Sequence, residues 1–326
     1  MENGGQLAFF GDGIVDALDV KMQTAAERLR AFEPPEGYYL AFSGGKDSIA
    51  AEFMCRFAGV KYDAHYAVTT VDPPELTRFI KKNYPQVEMH IPEINMWELI
   101  IKKRMPPTRM VRYCCDKLKE EGGQGRTVVT GVRWAESSNR KNTRNDVEYD
   151  VYGSEAKKAK EDRKQFYLLN DNDSKRRMME HCPTGRGKHV VNPLIDWTDE
   201  HVWLLIKRYN LPYPKLYDEG FKRLGCIACP MNGSKGIARH FIQWPYAFKQ
   251  YLIAFHTMLE GRYADGLDTD DTQNWKTGHD VMMWWMDKSL SDYTILLEEI
   301  KISMIKNAKP HWIKYTKLDC FPECKE

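Results

Sequence analysis

Residues Tyr38 to Phe42 form a short aromatic and apolar run that stops abruptly at Ser43-Gly44-Gly45, after which Asp47 to Phe57 can form a helix. A run of this length bounded by glycines predicts a buried strand entering a tight turn. The same alternation repeats: Ala64 to Thr69 predicts a strand, Pro74 to Asn83 a helix, Val87 to Ile91 a strand, Met96 to Lys103 a helix and Arg126 to Val132 a further strand. Strands separated by helices of this length require right-handed crossovers. They therefore predict an α/β fold with a doubly wound parallel sheet covered on both faces. Ligands of such sheets sit beyond the carboxyl ends of the strands.

Downstream, the stretch from Asn142 to His189 turns charged and poor in β-branched residues, as in Lys157-Lys158-Ala159-Lys160, and predicts a helical or mobile insertion. Val190 to Pro230 returns to a compact pattern, with Thr198 as a helix cap before Asp199 to Tyr209. Beyond Met231 the chain is helical and aromatic, with Trp244, Trp275, Trp284 and Trp285 expected as core rather than as base-stacking platforms. The expected organisation is a nucleotide-binding domain over 1–230, carrying the insertion at about 142–189, and a helical C-terminal subdomain over 231–326.

The 326 residues carry 48 basic and 46 acidic side chains, a net charge of +2, so overall charge makes no argument for nucleic acid or a membrane surface. The basic runs Lys102-Lys103-Arg104 and Lys175-Arg176-Arg177 read as solvated faces. No stretch approaches the roughly 18 apolar residues of a membrane span, and Met1 to Gly5 lacks the charged-then-apolar order of a leader, which places the expectation in the cytoplasm. Eight cysteines are too sparse for a disulfide scaffold in a chain this long.

The segment Ser43-Gly44-Gly45-Lys46-Asp47-Ser48, set between a strand and a helix, has the logic of a phosphate loop. Its glycines let the backbone approach an anion, and the turn aims amide N–H groups and the positive end of the helix dipole at it. Lys46 supplies a mobile charge, Ser43 and Ser48 can donate to phosphate oxygens, and Asp47 can help hold magnesium or orient the loop. The pattern differs from the Walker loop, in which four residues separate the glycines before the lysine. Two cysteine groupings, Cys114-Cys115 and Cys226-x-x-Cys229, offer four thiolates, a set that can hold zinc or a 4Fe-4S cluster; spacing alone does not separate these. Cys55 reads as core and His65 as a packed, hydrogen-bonded strand histidine. Cys182 reads as an inert thiol, a substitute ligand or a catalytic one, and Cys320 and Cys324 as exposed or redox-active thiols of a polar tail.

Taken together, these segments resemble the N-type ATP pyrophosphatases and, more narrowly, the phosphoadenosine phosphosulfate (PAPS) reductase family. Beyond the loop, Thr69-Thr70-Val71-Asp72-Pro73-Pro74-Glu75-Leu76 is similar to the family's segment after the second strand. Arg133-Trp134-Ala135-Glu136-Ser137-Ser138-Asn139-Arg140 is similar to its arginine motif, shifted by one at the glutamate. Asn192 to Trp197 and Pro212 to Phe221 are similar to its later signature. The resemblance implies the adenine nucleotide α-hydrolase type of sheet, a nucleotide (ATP, or PAPS or its relative APS) on residues 43–48 and Asp72, and magnesium. It also implies roles in the reaction for Lys46, Asp47, Arg133 and Arg140, with the two arginines facing the anionic part of the substrate. It further implies a 4Fe-4S cluster on Cys114, Cys115, Cys226 and Cys229, and a partner protein such as a thioredoxin or a cysteine desulfurase.

Three functions follow: an adenylating, pyrophosphate-releasing sulfurtransferase, a sulfonucleotide reductase, or a nucleotide- and cluster-binding sensor without turnover. The loop favours the first, because reductases have no pyrophosphate to expel and typically depart from this pattern. Their C-terminal Glu-Cys-Gly-x-His element is also not matched by Glu323-Cys324-Lys325-Glu326. The acceptor, whether nucleic acid or small molecule, and the oligomeric state stay open.

Overall fold

A computed structural model describes residues 12–150, 188–268 and 275–306. In chain order its elements are α1 (Asp12–Ala31), β1 (Tyr38–Ala41), α2 (Lys46–Ala58), β2 (Tyr62–Ala67), α3 (Pro74–Asn83), β3 (Glu88–His90), α4 (Met96–Lys103), α5 (Tyr113–Leu118), β4 (Thr127–Val129), α6 (Ser138–Thr143), β5 (Val147–Asp150) and β6 (Lys188–Val191). Five longer helices follow among the described residues: α7 (Asp199–Arg208), α8 (Gly233–Gln243), α9 (Pro245–Ala264), α10 (Gly278–Met286) and α11 (Leu290–Lys306). The described chain forms two units. One carries the sheet and includes Pro74–Pro92 and Lys119–Gly225; the other is helical and combines Thr69–Pro73 and Glu93–Leu118 with the chain from Cys226 onward.

The sheet unit is a doubly wound α/β layer with strand order β3-β2-β1-β4-β6-β5 and helices on both faces. β1 pairs in parallel with β2 (Leu40 opposite Ala64) and with β4 (Leu40 opposite Val129), so strand order reverses between β1 and β4, the switch point at which such sheets bind ligands. On one face α1, α2 and α7 pack against each other. In α1 the buried Leu18, Met22, Ala25, Ala26 and Leu29 recur at the 3- and 4-residue spacing of a single helical stripe. α2 ends at Gly59, whose φ of +72° supplies the left-handed cap and whose N–H donates to Arg56 O.

One strand departs from the all-parallel expectation. β5 lies inside the stretch read as a helical or mobile insertion, yet it pairs antiparallel with β6, Val147 opposite Val191. Val147-Glu148-Tyr149-Asp150 alternates apolar and polar residues, but four residues are too few to establish a period. Asn192 pins the pair instead: fully buried, it donates through Nδ2 to Asn145 O (2.7 Å) and Glu148 Oε1 (2.8 Å), and its N–H donates to Asp146 O (2.7 Å). The runs 157–164 and 175–177, Cys182, Cys320 and Cys324 lie outside the described residues.

In the helical unit, Phe248, Tyr251, Phe255 and Met258 of α9 form the axis of an aromatic core with Phe241 and Trp285, and the Trp97 ring meets Tyr251 edge-on with centroids 4.7 Å apart. Trp285 Nε1–H donates to Pro107 O at 2.6 Å. Trp244 and Trp285 are core as expected, whereas Trp284 is exposed and leans on Trp275. Adjacent residues on a helix point about 100° apart, so only one of the Trp284-Trp285 pair can face inward. No helix among the described residues is long and apolar enough to cross a membrane.

Candidate active site

In the sheet unit the site grows from the turn after β1. Gly44 has φ +71°, the conformation that requires glycine, and a Cβ there would lie 2.7 Å from Ile80 Cδ1 and 2.8 Å from Leu76 Cδ1 of α3. Gly45 begins α2 in extended conformation with no side chain capping the helix. The first amides of α2 are thus not consumed by a cap. Ser43 Oγ donates to Ser48 Oγ (3.1 Å), which donates to Gly45 O (2.9 Å), bracing the turn from inside, while Lys46 N–H donates to the buried Tyr217 hydroxyl at 2.9 Å. Burial raises the Tyr217 pKa far above the ordinary range, so the phenol stays neutral.

Around this turn four charges close into a cluster. Lys46 Nζ lies 3.1 Å from Asp47 Oδ2 and 3.2 Å from Asp199 Oδ1. Arg133 bridges the same two carboxylates, with Nε 2.7 Å from Asp47 Oδ1 and Nη2 2.5 Å from Asp199 Oδ1, and Nη1 donates to Trp197 O at 3.2 Å. Two cations and two anions leave the cluster neutral. Burial works against the Arg133 charge, but Asp47 and Asp199 outweigh it and hold its pKa above the usual value. Burial likewise works against ionised Asp199, and the hydrogen bond from Arg133 and the charge of Lys46 reverse the balance, lowering its pKa. Asp199 opens α7 directly after the Thr198 cap, so the amino ends of α2 and α7 both contribute to the cluster.

The structure places Arg133 at 1% exposure, with its guanidinium turned to Asp47, Asp199 and Trp197 rather than to an open edge. Arg140, on α6, is half-buried and ion-paired with Glu136, which also accepts the Arg133 N–H at 3.1 Å. Burial lowers the Arg140 pKa, aided by the neighbouring charges of Arg223 and Arg144. Arg223 shares the Glu136 carboxylate with Arg140 at 3.9 Å, and Arg144 pairs with Glu148 at 3.2 Å, so three guanidiniums stand with two carboxylates. Asp199, Tyr217 and Gly131 were not singled out by sequence. Gly131 is needed because a Cβ there would sit 2.7 Å from the Asp47 carbonyl carbon and oxygen. Its only sequence signal is a glycine breaking the apolar β4 run.

The four cysteines belong to the helical unit and come from distant stretches. Cys114 and Cys115 lie in the first turn of α5, and Arg112 Nη2 donates to Cys115 Sγ at 3.2 Å. Cys226 and Cys229 flank a tight turn: Ile227 N–H donates to Val71 O (2.7 Å), Ala228 sits at φ +55°, and its N–H donates to His240 Nδ1 (3.0 Å). Burial lowers the His240 pKa to about 4, so the ring is neutral and Nδ1 remains an acceptor. Cys226 Sγ donates to Thr69 Oγ1 at 3.5 Å, and Tyr251 OH donates to Ile227 O at 3.3 Å. None of the four is in a disulfide. The hydrogen bond that the Cys114 S–H donates to Cys115 raises the Cys114 thiol pKa, and burial and the negative charge that Cys115, Cys226 and Cys229 would carry raise it further. Cys114 feels the charges of Cys115, Cys226 and Cys229, and soft sulfur donors of this kind have the chemistry of a thiolate-ligated metal group. Cys55 is fully buried in α2, in the apolar core. Asp72 also belongs to this unit, where its carboxylate accepts the Thr69 N–H at 2.7 Å.

Residues 37–232 match the model of the phosphoadenosine phosphosulfate reductase domain. An uncharacterized protein of Methanocaldococcus jannaschii is 27% identical over 252 residues, which cover 70% of this chain and 44% of that protein. An adenosine 5'-phosphosulfate reductase of Salinibacter ruber is 36% identical over 55 residues, 16% of this chain and 22% of that protein. The matched stretches thus amount to less than half the length of these curated relatives. Among solved structures, a phosphoadenylyl-sulfate (PAPS) reductase from Candida auris in a phosphate complex aligns with a TM-score of 0.39 at 17% identity, over 64% of this chain and 93% of that one.

Proposed function

The chain belongs to the phosphoadenosine phosphosulfate reductase family of enzymes, and from that premise we propose that it activates an acceptor with ATP, releasing pyrophosphate, for transfer of sulfur. The observation that carries this reading is the complete loop 43–48 at the start of α2, with Lys46 held between the carboxylates of Asp47 and Asp199. A polyphosphate bound at the amino end of α2 draws Lys46 Nζ out of its ion pairs and onto phosphate oxygens. Asp47 and Asp199, kept in place by Arg133, are then the pair suited to magnesium, which prefers one or two carboxylates together with substrate phosphates. Magnesium bound there would neutralise charge developing on the leaving pyrophosphate.

In the adenylation step an acceptor oxygen attacks the α-phosphorus and the bond to the bridging oxygen breaks, with that electron pair leaving on pyrophosphate. The outer sulfur of a persulfide on a donor protein, such as a cysteine desulfurase, then displaces AMP from the adenylate, and a dithiol reductant such as a thioredoxin cleaves the resulting S–S bond, leaving the sulfur on the acceptor and the donor cysteine as a thiol. Lys46 and the α2 amides stabilise the charge on the departing phosphates, and Arg140 with Arg223 and Arg144 suits a second anionic group. Cys114, Cys115, Cys226 and Cys229 would hold a 4Fe-4S cluster, which supplies electron transfer or a sulfur-binding iron when present. The protein's own part there is to present four thiolates and to shield them, with Tyr251 and neutral His240 fixing the Cys226–Cys229 turn.

A second reading is reduction of a sulfonucleotide, with a thioredoxin as reductant. It is favoured by the family's description and by the name of the Salinibacter relative. The two are separated by incubating anaerobically purified protein with ATP, magnesium and candidate acceptors, and in parallel with phosphosulfate nucleotides and reduced thioredoxin. Pyrophosphate release is expected, and Lys46→Ala should lower it by about 10²- to 10³-fold, the cost of losing one contact to developing charge. Sulfite production without pyrophosphate would establish the second reading. Unchanged ATP binding and turnover in Lys46→Ala would remove the loop from either mechanism.

A further inference from the structure

We propose that His65, Glu88 and His90 form a zinc-class divalent metal site on one face of the sheet, across the β2–β3 pair, built from none of the residues of the 43–48 turn or the cysteine pairs. The placement follows from strand geometry. β2 and β3 run parallel with His65 opposite Glu88 and Ala67 opposite His90. Aligned residues of neighbouring strands share a face, and so do residues two apart on one strand, so His65, Glu88 and His90 project together, with Asp63 beside them. Their ligand atoms all lie within 4.8 Å of one another. His65 Nδ1 is 2.8 Å from His90 Nε2 and 3.5 Å from Glu88 Oε2, and His90 Nε2 is 3.9 Å from Glu88 Oε1. Tetrahedral zinc with bonds of about 2.0–2.1 Å sets its ligand atoms about 3.3–3.4 Å apart, a separation that these distances bracket.

The surroundings orient His65 as a ligand. Its Nε2 meets the Asp63 carboxylate, which is itself gripped by both terminal nitrogens of Arg126 at 2.5 Å. A proton held on Nε2 by that carboxylate leaves a lone pair on Nδ1, directed at the His90 nitrogen. This is the carboxylate–histidine–metal relay that fixes the tautomer and orientation of metal-bound imidazole. The ring is further held flat against Tyr39, with centroids 4.0 Å apart and planes 4° from parallel. His65 is buried, while Glu88 and His90 are exposed, so an ion can enter from solvent and keep a water at its fourth position. Two imidazoles and a carboxylate suit zinc or its neighbours rather than magnesium or calcium, which take oxygen ligands. The ion would tie β3, an edge strand of three residues, to the strand beside it.

The test uses the full chain, purified without oxygen and titrated with cobalt(II) and then zinc. One equivalent of cobalt is expected to give visible d–d bands of a tetrahedral nitrogen and oxygen site, without thiolate-to-metal charge transfer, and zinc should displace it and raise the melting temperature. His90→Ala and Glu88→Gln alter exposed side chains and should fold, which melting without metal verifies. Each should weaken zinc binding by more than about 10-fold, and Asp63→Asn, which touches no ion, by about 10- to 100-fold. Zinc affinity and stoichiometry unchanged in both His90→Ala and Glu88→Gln would overturn the site and leave a hydrogen-bonded histidine pair. So would cobalt spectra showing only thiolate charge transfer, which would assign the ion to the cysteines.

Discussion

Arg133 follows β4 in a segment that sequence alone reads as facing an anion, but its guanidinium is spent on Asp47, Asp199 and a backbone carbonyl. Its influence on a bound nucleotide therefore passes through the carboxylates it holds. Arg133→Ala leaves Asp47 and Asp199 with Lys46 as the cation they share and should destabilise the protein by about 1–3 kcal/mol, below the cost of breaking a fully buried pair because Asp199 is largely solvated; urea unfolding measures this. Arg133→Lys cannot bridge both carboxylates and should recover only part of the loss. Asp199 gives the matching pH dependence. Its folded pKa lies below the unfolded value, so the pair's contribution is present above the usual carboxylate range and is lost as pH falls through the folded pKa, where the unfolded chain binds the proton first. Between about pH 5 and about pH 3 the urea midpoint of Asp199→Asn should fall less than that of the parent chain. The difference should be small and shrink with added salt, as expected for a carboxylate in contact with water. Equal slopes for the two proteins would show that the pair adds nothing to stability.

At the scale of elements, two glycines set how closely strand ends and helix starts approach. A Cβ at position 44 would meet flexible tips of α3, Leu76 and Ile80, whereas one at position 131 would meet the Asp47 backbone. Side-chain tips can yield, but a helix start cannot do so without moving the loop. Gly131→Ala should therefore weaken nucleotide binding by more than its effect on melting suggests. Gly44→Ala, forced to adopt φ +71°, should cost about 1–3 kcal/mol of stability as well. Nucleotide titration and thermal melting of the two variants would reverse this ranking if the loop were plastic. The helices and strands alternating from Tyr38 to Val132 were legible because each carries its own periodicity or turn residues. Helix α3 spans Pro74–Asn83 and α4 spans Met96–Lys103, the limits that the sequence predicts. Helix α1 was not assigned from sequence, although its buried stripe from Leu18 to Leu29 was there to be found. β5 could not be found, because its stability comes from β6 and Asn192 rather than from its own residues.

At the scale of the molecule, the two cysteine pairs lie more than a hundred residues apart in sequence, and the helical unit contains both, with the charges of Cys226 and Cys229 acting on Cys114. Serine at Cys114, Cys115, Cys226 or Cys229 should each lower the iron content and brown absorbance of anaerobically purified protein, while serine at Cys55, deep in the core, should leave the iron unchanged. Iron that survives the loss of both Cys226 and Cys229 would refute this ligand set. The sequence by itself determined the alternating α/β pattern, the Ser43–Ser48 turn with its lysine and aspartate, and the two cysteine pairs, because each is written in consecutive residues. Only the tertiary structure decided that Arg133 is buried, that Asp199 and Tyr217 complete the loop, and that His65, Glu88 and His90 share a face. Those relations depend on strand order, register and helix packing, which join residues that no local pattern connects.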